Sequence, residues 1–218
     1  MTAGEPLVRW DWVLSHLGDI QTRLAEHLVL TGLALLIGFG LSFALSLAIR
    51  RYPFLYEPVT WGTGVLYAIP SLALFALLVP FTGLSLLTAE IGLVSYTLLI
   101  LIRNTVSGLR SVPPDVKEAA IGMGYSSGQL LWRVELPLAL AVIVAGLRVA
   151  AVTTIGLTTV TALIGQGGLG FFILDGIQRF FSTPLIVGAV LSVALGVAAD
   201  GALVLIQRWA TPWVRVGG

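Results

Sequence analysis

The side chains in this sequence that could take part in chemistry are few, and nearly all of them are charged residues placed among long apolar runs. The chain has no cysteine, which excludes disulfides, thiolate metal sites and cysteine nucleophiles, and its two histidines are His16 and His27. No serine is accompanied by a plausible base, so the sequence carries no recognisable apparatus for covalent catalysis. We therefore expect no enzyme activity, no metal site and no cofactor on this chain.

Charged and turn-forming residues concentrate in the segment 111–135, which separates two apolar runs and opens with a Pro-Pro pair. Asp115 and Glu118 fall in the first turn of a predicted helix, where the helix dipole favours negative charge. Gly124 falls where a helix needs a left-handed residue at its C-terminal end. The pattern predicts one short helix with a defined stop.

A second short helix is predicted to follow this stop. Ser126 and Gln129 have the spacing of a capping box, in which each side chain bonds the other residue's backbone amide. This places the second helix at 130–134, running into Leu136 and Pro137 at the start of the next apolar run. Two helices joined by a tight turn form a rigid, water-facing projection, which implies a soluble partner that moves it. The alternative is that a long loop between membrane helices simply forms two short helices without a partner.

Two charges, Arg148 and Asp200, lie inside apolar runs. Each lies roughly 12 to 18 Å from the same end of its predicted helix at 1.5 Å per residue, so their depths overlap. Gly188, Ser192 and Gly196 precede Asp200 at intervals of four, a stripe on which another helix can pack. Because an unpaired charge at this depth is costly, we predict a buried ion pair. The alternatives are that Arg148 extends to the interface, or that either charge lines a solute path.

The segment 165–170 matches the dinucleotide-binding pattern G-x-G-x-x-G, but it follows an apolar run and no acidic residue lies about twenty residues further on. We interpret it as a tight external turn with closely packed backbone, part of an outer gate, followed by a short helix through Gln178. Threonines before it either line a polar pathway or bond back to carbonyls of their own helix. The candidate gate and pathway residues are Gly165, Gly167, Gly168, Gly170, Thr154 and Thr158.

The elements that must position these residues are membrane helices. The chain is 57% hydrophobic and 11% charged, and its mean hydropathy of +0.97 lies outside the range of soluble domains. A span takes roughly 20 apolar residues. We predict an all-α integral membrane protein in which Pro70 kinks the second helix, with an N-terminal interfacial helix along the apolar stripe at 10–24; a frayed terminus is the alternative. The five predicted spans are 28–49, 59–79, 91–109, 136–161 and 185–206.

Cations are distributed unevenly between the two sides of these spans. This asymmetry predicts that residues 1–27 lie outside the cell and that residues 28–208 form the membrane domain. The loop at 111–135 within that domain and the tail at 209–218 would then lie in the cytosol. The first 27 residues hold no apolar run of signal-peptide length. A formal net charge of +1 argues against a nucleic-acid partner. The inner side holds Arg50, Arg51, Arg103, Arg110, Lys117, Arg133, Arg208 and Arg215, and the outer side Arg9, Arg23 and Arg179.

The order Glu118-Ala119-Ala120, three residues, Gly124, nine residues and then Val134-Glu135-Leu136-Pro137 resembles the EAA loop of permease subunits in ATP-binding-cassette importers. Further stretches are similar to permeases of osmoprotectant importers, the systems for glycine betaine, carnitine, choline and proline betaine. They are AIPSLAL at 68–74, IRNT at 102–105, VELPLAL at 134–140 and ALIGQGGLG at 162–170. The similarity extends over residues 28–207.

This resemblance implies a type I importer permease in the inner (cytoplasmic) membrane, with the loop docking into a cytosolic ATPase. ATP and magnesium would belong to a dimer of that ATPase. The other implied partners are a second permease chain, identical or related, and an extracytoplasmic substrate-binding protein that carries the selective site. The residues that the resemblance assigns to ATPase coupling are Glu118, Ala119, Ala120, Gly124, Leu136 and Pro137.

Other solutes and another mechanism stay open. Members of the family usually have Ala where this chain has Thr158, Thr159 and Thr161, and importers of the methionine type carry a similar glycine-rich stretch, so an amino acid is an alternative substrate. An ion-coupled secondary transporter using Arg148 and Asp200 is the second alternative. Aromatic faces attract quaternary ammonium groups, although such residues also serve as interface belt or core. The candidates are Trp61, Tyr67, Phe75 and Tyr96.

Overall fold

The structure is a computed structural model that describes residues 6–212, and within this range it contains helices and no strands. Arg215 and the end of the predicted tail lie outside the described residues. The chain begins with α1 (Trp10–Ser15), α2 (Leu17–Arg51) and a 3-10 turn (Pro53–Leu55), followed by α3 (Tyr56–Ala68), α4 (Ser71–Thr82) and α5 (Leu86–Arg110). Its second half comprises α6 (Pro114–Gly122), α7 (Ser127–Leu130), a π-helical turn (Leu131–Glu135), α8 (Leu136–Thr158), a 3-10 turn (Val160–Ile164), α9 (Gly170–Gln178) and α10 (Ser182–Ala210).

Four helical segments of the described chain are long and apolar enough to cross a membrane, or five if the broken pair α3 and α4 forms one span. The first is longer than predicted, because α2 begins at Leu17 and not at residue 28. The predicted interfacial helix at 10–24 is therefore reduced to the six residues of α1. The fifth span is also longer, since α10 runs from Ser182 to Ala210.

Pro70 breaks the second span where a kink was predicted, and α3 meets α4 at 96°. Proline has no N–H and disfavours helical backbone at the preceding residue. Ile69 accordingly adopts an extended conformation, with φ −66° and ψ 127°. The hydroxyl of Tyr96 on α5 donates a hydrogen bond to the carbonyl of Ile69. A tertiary contact thus satisfies a carbonyl at the break and stabilises the sharp turn.

Helix α5 lies at the centre of the bundle and packs against α2, α3, α4 and α8, whereas α10 packs on α8 and α9 at the periphery. In its spanning window α5 is 67% buried, against 11% for α10. Small residues allow the close approaches: a Cβ on Gly38 would collide with Thr97, and one on Gly146 would collide with Asn104. The central helix is therefore held from both sides by α2 and α8, the two helices that carry the sites described below.

Candidate functional site

Helix α6 ends in the turn that the sequence predicts at Gly124. The backbone there has φ +84°, in the left-handed region that glycine adopts without strain. The Gly124 N–H donates to the carbonyl of Ile121, and the Tyr125 N–H donates to the carbonyl of Ala120. These two bonds form a Schellman motif, so α6 stops through its own backbone.

The capping box after this turn is present, but the second short helix at 130–134 is wrong. The Ser126 N–H donates to Gln129 Oε1 at 2.8 Å, and the Gln129 N–H donates to Ser126 Oγ at 3.3 Å. The box starts one helical column of 38 residues, from Ser127 to Ile164, that includes the fourth span. A π-helical turn at Leu131–Glu135 widens the backbone before Pro137, whose ring would otherwise clash with the carbonyl four residues earlier. One arm of the loop is thus the end of a membrane helix.

The outer face of the 111–135 loop combines exposed carboxylates, Asp115 and Glu118, with exposed apolar side chains. Glu118 and Ala119 are exposed, whereas Ala120 is buried and packs inward. Within the described residues Glu118 makes no ion pair. Four apolar residues of the same loop are also exposed, a composition typical of a surface that another protein covers. They are Val116, Ile121, Met123 and Trp132.

Glu135 anchors this loop to the membrane helices, a role that the sequence analysis missed. Its side chain is 6% exposed, and Oε2 accepts from Arg50 Nε of α2 at 2.5 Å. Lys117 Nζ of α6 lies 3.5 Å from Oε1 and also donates to the carbonyl of Leu109 at 3.1 Å. One carboxylate therefore joins α2, α6 and the start of α8. The sequence did contain a signal for this role: Glu135 lies at the edge of an apolar run, on the side of the membrane that holds most of the cations.

The glycine turn at 165–170 is bound by the N-terminal third of α2. Glu26 Oε2 accepts from the Gly168 N–H at 2.9 Å. His27 is completely buried; its Nδ1 accepts from the Leu169 N–H at 3.2 Å, and its Nε2 is 3.0 Å from the carbonyl of Ile155. The hydrogen-bond network therefore assigns the ring proton to Nε2. Sequence reasoning named neither Glu26 nor His27 for this role, because contacts between residues more than 140 positions apart leave no local pattern.

The backbone of the glycine turn is packed as closely as the sequence predicted. Gly165 and Gly168 have φ +75° and +82°. A Cβ on Gly170 would overlap the backbone of Thr159, and one on Gly167 would overlap the Glu26 carboxylate. Gly167 and Gly170 thus accommodate neighbouring protein, whereas Gly165 is favoured by its left-handed backbone. Helix α9 follows through Gln178 as predicted.

The threonines of α8 face the interior of the chain. Thr154 donates to the carbonyl of Ala150 at 2.7 Å, and Thr158 donates to the carbonyl of Thr154 at 2.8 Å. Both side chains are buried, and the Thr158 hydroxyl lies 3.1 Å from that of Thr31 on α2. This is the back-bonded arrangement that the sequence analysis offered as the alternative. This arrangement does not support the prediction that Thr154 and Thr158 line a pathway.

Arg148 and Asp200 form the ion pair that their depths predict. Arg148 Nε donates to Oδ1 of Asp200 at 2.7 Å and Nη2 donates to Oδ2 at 3.0 Å, a bidentate arrangement between α8 and α10. The predicted burial is wrong for this chain alone, since the side chains are 31% and 39% exposed. The small-residue stripe packs at its other end, where Gly188 lies against Leu169 and Ile173 of the α9 region.

The four aromatic candidates do not form a cage. Trp61 is 75% exposed, whereas Phe75 is fully buried in the core beside Leu93. Only Tyr67 and Tyr96 lie together, with ring centroids 5.7 Å apart in an edge-to-face arrangement. The Tyr96 hydroxyl is engaged by the break at Pro70. Within the described residues these side chains serve the core and the surface.

The chain belongs to the family of binding-protein-dependent transport system inner membrane components, whose model matches residues 37–212. It is 36% identical to the osmoprotectant import permease protein OsmW of Salmonella typhimurium over 206 residues, 92% of this chain and 96% of that protein. It is 34% identical to the carnitine transport permease protein OpuCB of Listeria monocytogenes over 194 residues, 89% of each chain.

The fold is similar to that of a solved importer. An inward-facing structure of the MetNI methionine ABC transporter superposes with a TM-score of 0.76 at 23% identity, over 88% of this chain and 96% of the matched chain. The predicted fold class, an all-α membrane protein with the architecture of an ABC importer permease, is confirmed. The chain is a multi-pass membrane protein and the transport component of such a system, whose family name implies a binding protein.

Proposed function

We propose that this chain is the permease subunit of an ATP-driven importer for osmoprotectants such as glycine betaine, carnitine, choline or proline betaine. The assignment of substrate class rests on similarity to OsmW and OpuCB, which covers about nine-tenths of the chain. The observation that carries the coupling role is the 111–135 loop itself. It presents Glu118 and apolar residues outward on a short helix whose base is anchored by Glu135.

The loop faces the cytosol in this proposal, where a dimer of ATP-binding subunits holds it. The C-terminal turns of α2 and α5 carry Arg50, Arg51 and Arg110 at the same end as the loop, which agrees with the positive-inside rule. The N-terminus then faces outward, towards the substrate-binding protein. A second permease chain completes the path between the two sides.

Two routes carry a displacement of the loop into the membrane. The first is direct, because α7, the π-helical turn and α8 form one helical column. The second runs through the Glu135–Arg50 ion pair into α2. Arg50 and His27 are about 35 Å apart along this helix at 1.5 Å per residue. Since Glu26 and His27 hold the glycine turn, α2 mechanically joins the loop to the outer gate.

Reconstitution of the permease with its partner ATPase and binding protein in liposomes tests the proposal. Uptake of radiolabelled glycine betaine, carnitine, choline and proline betaine is compared with that of methionine. We expect uptake of at least one osmoprotectant that requires both ATP and the binding protein. Uptake of methionine alone would replace the substrate class, and uptake driven by an ion gradient without ATP would overturn the importer mechanism.

A further inference from the structure

A cavity of about 410 Å³ lies at the loop end of the molecule, between the last turns of α2 and α5 and the base of α6. Its rim carries four cations and one carboxylate. Its deeper wall is formed by Ser46, Ile49 and Val106 from the membrane helices. The charged rim residues are Arg50, Arg51, Arg110, Lys117 and Glu135.

The cations of this cavity exceed what its carboxylate can neutralise. Glu135 is shared by Arg50 and Lys117. Arg51 and Arg110 make no ion pair within the described residues; they lie over the rings of Tyr52 and Tyr56, at 5.5 and 4.4 Å from the ring centroids. Like charges gathered in one cleft concentrate counter-ions there, so the cavity favours an anionic ligand.

Ser46 adds an unpaired polar group to the wall of this cavity. The residue is fully buried, lines the cavity, and its Oγ has no hydrogen-bond partner among residues 6–212. A helical serine commonly donates to the carbonyl four residues earlier, and this one does not. Buried hydroxyls are rarely left without a partner, and a ligand oxygen in the cavity would supply one.

The position of the cavity defines the kind of anion. Arg50 and Arg51 occupy the last turn of α2, and Arg110 the last residue of α5, which places the cationic rim at the boundary between membrane and water. Phospholipid phosphates lie at this depth, and basic pockets between membrane helices bind such head groups. Guanidinium groups match phosphate oxygens with paired hydrogen bonds. We propose that this cavity binds a phosphate group, supplied by the head group of an anionic phospholipid in the adjacent leaflet.

A bound phosphate would also influence the loop. Arg50 and Lys117 line the cavity and hold Glu135, so phosphate competes with that carboxylate for both cations. Anionic lipid would thereby change how firmly α6 and α8 are tied to α2. This consequence rests on the proposed coupling function, whereas phosphate binding does not.

The test uses the full-length chain, purified in detergent and stripped of lipid. Native mass spectrometry counts bound lipid as phosphatidylglycerol or phosphatidylcholine is added, and isothermal titration with inorganic phosphate examines the soluble source. Both lipids carry the phosphate, but phosphatidylcholine adds a quaternary ammonium that the cationic rim repels. We therefore expect phosphatidylglycerol to bind about tenfold more tightly than phosphatidylcholine. Binding of inorganic phosphate at comparable affinity would keep the phosphate site and assign it to a soluble anion. Equal binding of the two lipids with no phosphate binding would overturn the proposal.

Matched variants locate the site. The double variant Arg51→Gln and Arg110→Gln should lose about tenfold in phosphatidylglycerol affinity. Arg103→Gln with Arg133→Gln removes the same charge from exposed positions that do not line the cavity, and should leave binding within about twofold. An equal loss of phosphatidylglycerol affinity in the two double variants would show that the lipid is attracted by overall charge, and would overturn the assignment of a specific site.

Two serines on α2 provide a test that leaves the charges intact. Ser46 and Ser42 are both buried and without a partner, but only Ser46 is among the residues that line the cavity. Ser46→Ala should weaken phosphate or lipid binding several-fold, and Ser42→Ala should not. The proposal would be contradicted if lipid binding were unchanged in both the Ser46 variant and the arginine variant. If the arginine variant also lost the co-purifying ATPase, the cavity would be assigned to a carboxylate of that ATPase.

Discussion

Helix α2 holds one loop at its C-terminal end and another in its N-terminal third, by two different kinds of contact. At the C-terminal end Arg50 forms an ion pair with the side chain of Glu135. In the N-terminal third Glu26 and His27 accept hydrogen bonds from backbone amides of the glycine turn. A side-chain ion pair can be exchanged when a partner or an anion arrives, because both groups retain other possible partners. Backbone bonds within a turn that has no room for a Cβ atom at Gly167 or Gly170 require one geometry.

The comparison implies that the two ends tolerate change differently. The loop end presents exposed apolar residues and lies beside a cavity, features of a surface that meets other molecules. The glycine end is packed against α2 and α8 within the same chain. Substitutions should therefore damage folding at the glycine end and coupling at the loop end.

The largest effect is expected at Gly170. In Gly170→Val the side chain would overlap the backbone of Thr159, which cannot rotate away. We expect a loss of about 3 kcal/mol, the upper range for overpacking, and a strong fall in folded yield. Gly156→Ala is the control, because a Cβ there meets no atom within 4 Å. Size-exclusion chromatography and thermal unfolding in detergent measure both; equal stability of the two variants would remove the close-packing argument.

Glu135 should show a smaller loss of stability together with a loss of transport. Glu135→Gln leaves Arg50 and Lys117 without their shared carboxylate, at a cost of about 2 kcal/mol, less than for a fully enclosed pair because both cations are partly solvated. Glu118→Gln removes the same charge from an exposed position, so it should leave thermal stability unchanged and reduce uptake only. A Glu118 variant as unstable as the Glu135 variant would show that the loop is not divided into an anchored base and a docking face.

Gly124 should show the smallest change in stability. Gly124→Val places a β-branched residue at φ +84°, which costs about 1–2 kcal/mol and shifts the turn between α6 and α7. Among the described residues, no atom beyond its two chain neighbours lies within 4 Å of its Cβ position, so the effect is conformational and not steric. We expect membrane insertion and most of the folded yield to remain, with ATP-driven uptake lost. Uptake at the level of a Gly122→Ala control would remove the coupling assignment.

Sequence reasoning succeeded where a structure is determined by neighbouring residues. The left-handed turn at Gly124 and the capping box of Ser126 and Gln129 follow from local backbone rules and are present. The pairing of Arg148 with Asp200 followed from matched depth along two helices. Membrane helices were found from the length of the apolar runs, although their ends extend further because capping and packing decide them.

It failed where a distant contact decides the outcome. Pro70 was expected to kink one helix, but whether a proline kinks or breaks a span also depends on the contacts that stabilise the break, here the hydrogen bond from Tyr96 of another helix to the carbonyl of Ile69. The contacts of His27 and Glu26 with the glycine turn join segments that no periodicity relates. The continuity of α7 with α8 depended on a π-helical turn, which has no reliable sequence signal.

The central claim is that motion of the loop reaches the glycine turn through α2 and therefore needs the Glu135–Arg50 pair. The chain contains no cysteine, so a single cysteine at the exposed Leu163, beside the glycine turn, reports on that turn alone. The measurement is its labelling rate by an impermeant thiol reagent in the assembled transporter, with and without ATP. We expect an ATP-dependent change in rate that is lost in Glu135→Gln and kept in the control Arg133→Gln. An undiminished change in Glu135→Gln would contradict it and leave α8 as the sole route.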